Sequence, residues 1–196
     1  MFANRFTALV DACSLASVLK RNLLLSLAEA DFFRLRWSEK ILDETQKAVE
    51  QIYAKRGHPD AADRAQRARK NMEAAFEDAK VENYDHLLPL GDALPDRGDK
   101  HVLAAAVKTQ ASMIVTENLR HFPSDILSDL NIEAKSADSF IADTIALDPG
   151  RAVAAIRKMR LRFKRPEKTA EALLLDMEAA GLIEAVDLLR EHVESL

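Results

Sequence analysis

Short apolar runs alternate with amphipathic helical stretches along most of this 196-residue chain. That alternation restricts the fold to a parallel sheet flanked by helices. The apolar runs are Phe6 to Val10, Phe33 to Trp37, Leu87 to Leu90, Ser112 to Thr116 and a weaker last one, Ile132 to Lys135. Between them, Leu15 to Glu29 places Leu19, Leu23, Leu24 and Leu27 on one helical face. Ser38 is placed to cap a helix reaching about Arg56, with Ile41, Leu42, Thr45, Ala48, Val49 and Ile52 turned inward. Residues from Asp60 to Asp78 predict a helix that is polar except for Met72 and Phe76, and so packs on an edge. A helix opens near Asp99, Pro123 takes the first position of another, and Ser136 caps one running to about Leu147.

Asp148-Pro149-Gly150 marks a boundary. Beyond it Asp148 caps a helix from Arg151 to Phe163, Thr169 caps another through Ala180, and Leu182 to Val193 forms the last. The expected organisation is therefore an α/β domain over 1–147 and a small all-helical appendage over 148–196. The net charge of −4 conceals a compact basic segment, because residues 151–168 carry eight basic side chains and one acidic. Arg157, Lys158, Arg160, Arg162, Lys164 and Arg165 are the candidates there for contact with RNA phosphates or an acidic partner. A second stripe, Arg64, Arg67, Arg69 and Lys70, is diluted by Asp60, Asp63, Glu73 and Glu77 and reads as a surface helix. The single cysteine excludes an internal disulfide framework and a thiolate zinc site, which fits a reducing cytoplasm. No stretch approaches the roughly 20 apolar residues of a membrane helix. A signal peptide is not expected either, since Asp11 interrupts the first apolar run and Lys20 and Arg21 follow.

Asp11 ends the first strand, and in an open α/β sheet ligands bind at the carboxyl ends of strands. Asn118 falls just after the Ser112 to Thr116 strand, Asp99 opens a helix, and Glu44 sits on the flank of its helix's apolar face. Carboxylates brought this close repel one another unless a cation neutralises them. A set of oxygen ligands suits Mg2+ (or Mn2+) better than zinc. Thr116 is placed to orient a carboxylate, whereas Asp96, His101 and His121 lie near the same edge. Cys13 reads as a small buried residue and Trp37 as core beneath the second strand.

Four segments carry a resemblance: Val10-Asp11-Ala12-Cys13-Ser14-Leu15, then Arg36 to Glu44, then Leu94-Pro95-Asp96-Arg97-Gly98-Asp99-Lys100-His101 onward, and Ile114-Val115-Thr116-Glu117-Asn118 to Pro123. In this order, over about residues 6–145, they resemble the successive motifs of PIN domains, closest to the branch containing VapC-type toxins. The segments Lys164 to Thr169 and Met177 to Leu182 are similar to the helical C-terminal extension of one subset of those toxins. The resemblance implies a three-layer α/β/α fold with a central parallel sheet. It also implies a Mg2+ site built from Asp11, Glu44, Asp99 and Asn118, with Asp11, Asp99 and Glu44 as the metal-holding carboxylates. It further implies endoribonuclease activity on RNA and an antitoxin partner in a type II toxin–antitoxin system; a homodimer is an open alternative that the sequence does not decide. Two departures stand out. Gly98 occupies a position where relatives often have a second aspartate, and His121 one where an aspartate is common.

Readings from other classes are a PIN-fold RNA- or protein-binding module with weak catalysis, which Gly98 and His121 would favour, and a phosphoaspartyl hydrolase. The hydrolase would call for a second aspartate where Cys13 stands.

Overall fold

The computed structural model describes residues 6–164 and 166–196. Five parallel strands form one sheet in the order β3-β2-β1-β4-β5. They are β1 (Thr7–Val10), β2 (Arg34–Ser38), β3 (Lys80–Val81), β4 (Met113–Val115) and β5 (Glu133–Lys135). In register, Leu9 lies opposite Arg36 on one side and Ile114 on the other. Ala8, Leu9, Val10, Ile114 and Val115 are fully buried, as central strands covered on both faces must be. This is the expected α/β architecture with helices flanking a parallel sheet.

The connecting helices are α1 (Ala12–Ala16), α2 (Val18–Glu29), α3 (Glu39–Lys55), α4 (Ala61–Ala75), α5 (Lys100–Lys108), α6 (Ser124–Ser128) and α7 (Ala137–Leu147). Caps at two of these follow the local sequence. The Ser38 hydroxyl accepts from Ile41 N, and that of Ser136 from Ser139 N. Three local expectations need correction. The stretch from Leu15 to Glu29 is not one helix but breaks at Ser17, whose backbone is extended, so α1 and α2 are separate. The apolar run Leu87 to Leu90 lies within a 3-10 segment, Asp85–Ala93, where Pro89 lacks the N–H a strand ladder would need. The third strand is Lys80–Val81 instead, paired to the end of β2. Finally, α4 stops at Ala75 because Phe76 leaves the helix and sets its ring edge-on against the buried Trp37.

The C-terminal helices are α8 (Pro149–Arg160), α9 (Ala170–Ala179) and α10 (Ile183–Arg190). Asp148 caps α8 by accepting from Arg151 N, Thr169 caps α9, and Gly181 turns the chain with φ +78°. They are not detached from the α/β part. α8 packs on α2 and α10 on α7, and a single apolar cluster runs from Leu9 and Leu23 to Ile156, Leu173 and Leu189. Among the described residues no helix is long and apolar enough to cross a membrane.

Candidate active site

Because β1 and β4 are neighbours, the residues leaving their carboxyl ends meet. Asp11 donates its N–H to Val115 O (2.9 Å) and caps α1, its Oδ1 accepting from Ala12 N (2.7 Å). Thr116, fully buried, donates its hydroxyl to Asp11 Oδ2 (2.8 Å) and accepts from Asn118 N (3.1 Å). A hydroxyl has one proton, so giving it to the carboxylate leaves a lone pair for that N–H. Cys13 Sγ completes the cluster, 3.1 Å from Asp11 Oδ2 and accepting from Glu117 N (3.1 Å). The thiol is only partly buried, yet burial first and the Asp11 charge second push its pKa up to about 11. It stays protonated at neutral pH, which removes it as a nucleophile.

Asp99 stands immediately before α5, and Asp96 opens the preceding 3-10 turn by accepting from Gly98 N (2.8 Å). A side chain at Gly98 would bring Cβ to 3.1 Å from Asp96 Oδ1, so the glycine gives that cap its room. His121 Nδ1 is 2.7 Å from Asp99 Oδ2 and 3.7 Å from Asp96 Oδ2. Arg120 Nε donates to the other ring nitrogen (3.2 Å), so in the neutral ring Nδ1 carries the proton and donates to Asp99. Burial is the largest influence on Asp99 and raises its pKa. The His121 hydrogen bond opposes this, and the charges of Asp11 and Asp96 add to the rise. Asp96, Asp99 and His121 each offer a ligand atom within 4.8 Å of the others, an acidic cluster that could hold a metal ion. The donor set is mainly carboxylate oxygen, which fits a hard divalent cation.

Glu44 is half-buried on α3 and takes a different partner, His101 Nε2 (3.2 Å). His101 is 3% exposed, and its Nδ1 is a buried atom with no hydrogen-bond partner among the described residues. An unpartnered Nδ1 is a bare lone pair, so Nε2 carries the proton and points it at Glu44. This fixing of Glu44 by a histidine two residues after Asp99 was not foreseen. The sequence did place His101 near the edge, but a helical histidine in apolar company carries no signal of its partner. Asn118 is half-buried at the start of a 3-10 turn, Leu119–His121. The structure thus brings Asp11, Thr116 and Cys13 together, gathers Asp99, Asp96 and His121, and ties Glu44 to the start of α5.

The basic segment lies elsewhere. Arg162 and Lys158 pair with Glu29 at the end of α2, and Arg151 reaches Ala30 O (2.8 Å) and covers the Phe32 ring. These partners precede β2, at the amino edge of the sheet, opposite Asp11. Arg160 is occupied internally, donating to Leu196 O (3.0 Å) and Lys168 O (2.5 Å). Arg157 is exposed, Lys164 forms a backbone bridge with Glu167, and Arg165 lies outside the described residues.

A parallel five-stranded sheet flanked by helices, with acidic groups toward its carboxyl edge, places the chain among the α/β proteins. Comparison with known families gives the membership: residues 7–120 match the PIN domain model, and the chain belongs to that family. Residues 137–191 match the VapC50 C-terminal domain. Among curated proteins, a stretch of 76 residues is 42% identical to the Mycobacterium tuberculosis protein named "Putative ribonuclease VapC50". That match covers 39% of this chain and 45% of the relative, so the chain spans less than half the relative's length. No solved structure matches the chain.

Proposed function

We propose that the chain is a divalent-cation-dependent endoribonuclease, the toxin of a type II toxin–antitoxin pair, with Mg2+ (or Mn2+) as cofactor. The observation carrying this reading is that Asp11 follows β1 while Asp99 is held by His121 in the turn after the neighbouring strand β4, so both stand toward the carboxyl edge of the sheet. Asp11 and Asp99 would hold the cation, with Glu44 and Asn118 completing the set and Asp96 and His121 beside it. When bound, such a cation polarises the phosphodiester, helps ionise the attacking water and offsets developing charge.

The chain's own residues orient the ligands. Thr116 fixes one oxygen of Asp11 and α1 the other. His121 holds Asp99, and His101 holds Glu44. Without a cation, the carboxylates leave a field that repels RNA phosphates. A binding module with weak catalysis is less favoured, because all three acidic residues keep their expected elements and each is oriented by a hydrogen-bond donor.

Residues 1–147 serve as the PIN unit in this reading and 148–196 as an extension. Arg157 and Lys158, remote from Asp11, would meet an acidic stretch of the antitoxin rather than the RNA being cut. The toxin would act in the cytoplasm and could do so as a homodimer. The test is cleavage of labelled tRNA, rRNA fragments and single-stranded DNA by wild type, Asp11→Asn and Asp99→Asn, with Mg2+, Mn2+ or chelator. Metal-dependent cutting of RNA that both variants lose supports the reading. Cutting that persists in either variant or in chelator rejects it.

A further inference from the structure

Arg21 is a buried cation that the chemistry above does not use. It is 7% exposed, and among the described residues its hydrogen bonds run from Nη1 to Leu15 O (2.6 Å) and Ala16 O (3.4 Å) at the end of α1. Among the described residues no carboxylate forms a salt bridge with it. Burial accordingly pushes the guanidinium pKa below its ordinary value. Closing α1 accounts for one nitrogen of a group with five N–H donors. A desolvated guanidinium without a counter-anion is costly.

Arg21 also lines a cavity of about 370 Å3 between α2, the end of α3 and α4. The polar lining comprises Arg21, Asn22, Tyr53, Arg64, Arg67 and Asn71, and among the described residues no carboxylate lines the cavity. The stripe read as one basic surface is therefore split in two. Arg69 turns to Glu39, Asp43 and Glu73, whereas Arg64 and Arg67 face the cavity. Asp60 pairs with both of the latter (2.8 and 3.7 Å), so one negative charge stands against three positive ones. Arg64 is further steadied over the Tyr53 ring, 5.3 Å from its centroid. Three arginines lining one cavity, one buried and two at its rim, suit a tetrahedral oxyanion, which accepts several N–H bonds at once.

We propose that this cavity is a binding site for a phosphoryl anion, with Arg21 as its floor and Arg64 and Arg67 at its mouth. It is separate from the carboxylate edge. Asp11 opens α1 while Arg21 closes the other end, and on α3 Glu44 and Tyr53 are nine residues apart, about 13 Å along the axis. The phosphoryl group could belong to free phosphate, a mononucleotide or the backbone of bound RNA. The proposal does not depend on phosphodiester cleavage.

The test titrates the 15N-labelled full chain with inorganic phosphate in metal-depleted, low-salt buffer, following the arginine Nε–Hε cross-peaks. Arg21→Gln, Arg67→Glu and the outside control Arg157→Glu are run beside wild type. Expected is a saturable shift of the Arg21 peak, identified by its loss in Arg21→Gln. Arg67→Glu should weaken it at least tenfold, and Arg157→Glu should leave it unchanged. Arg67 has a 63% exposed side chain, so its variant stays informative if Arg21→Gln fails to fold. Repeating the titration with AMP and with a single-stranded RNA hexamer assigns the source, the tighter binder being the physiological class and equal binding pointing to free phosphate. Absence of a saturable shift, or a shift unaltered in Arg67→Glu, overturns the proposal.

Discussion

Replacing Thr116 with valine keeps the side chain's shape and deletes only its hydroxyl, which makes it a direct probe of how the site is held. Two bonds go. The donor to Asp11 Oδ2 (2.8 Å) disappears, and Asn118 N loses its acceptor (3.1 Å). A bond to a charged group is worth about 1.5–3 kcal/mol and a neutral one about 1 kcal/mol. Thr116 is fully buried and Asp11 4% exposed, so water cannot readily replace either bond. The expected loss is about 2.5–4 kcal/mol, which for a chain of this size lowers Tm by roughly 5–16 °C. Urea unfolding in chelator, followed by fluorescence of the buried Trp37, measures it. In an Asp11→Ala background the carboxylate bond is already absent, so Thr116→Val should then cost only about 1 kcal/mol, leaving a coupling of about 1.5–3 kcal/mol. A loss under about 0.5 kcal/mol, or a coupling near zero, would show that the hydroxyl does not hold Asp11.

Three further outcomes are expected. Gly91→Ala sets a Cβ 2.8 Å from Lys100 Cα at the start of α5 and should destabilise by about 1–3 kcal/mol in the same urea assay; a neutral result would mean that α5 shifts freely. Asp99→Asn removes a carboxylate that burial and the Asp11 charge disfavour, so in metal-free buffer its Tm should exceed wild type's. Adding Mg2+ should raise only the wild type, through linkage to binding, and equal responses would remove Asp99 from the cation site. The Glu29 carboxyl is held below its ordinary pKa, chiefly by its hydrogen bond from Arg162. A depressed carboxyl pKa stabilises the fold above the unfolded value and ceases to do so as pH falls through the folded one. Glu29→Gln should therefore cost under about 1 kcal/mol at pH 7, the pair being partly exposed, and nothing near pH 2. A loss that is the same at both pH values would exclude the ion pair as its cause.

The sequence by itself determined the class of fold, four of its five strands and the caps that open several helices. Each of these is a local property. Four-residue apolar runs read as buried strands, Ser38, Ser136, Asp148 and Thr169 cap the helices that follow them, and a carboxylate just after β1 stands at the sheet's carboxyl edge whatever lies elsewhere. Short or overridden elements were not legible. Lys80–Val81 is too brief to show a period, Pro89 withdraws a run that is otherwise strand-like, and Phe76 abandons its helix for a ring nearly forty positions away. Pairings between distant segments were decided only by the tertiary structure. His101 on Glu44, Thr116 on Asp11, Glu29 beneath Arg162 and Arg21 without a carboxylate all depend on which helix packs against which. A charge in a sequence carries its sign but not its neighbours, and Coulomb energy falls with distance and dielectric, both of which only packing sets.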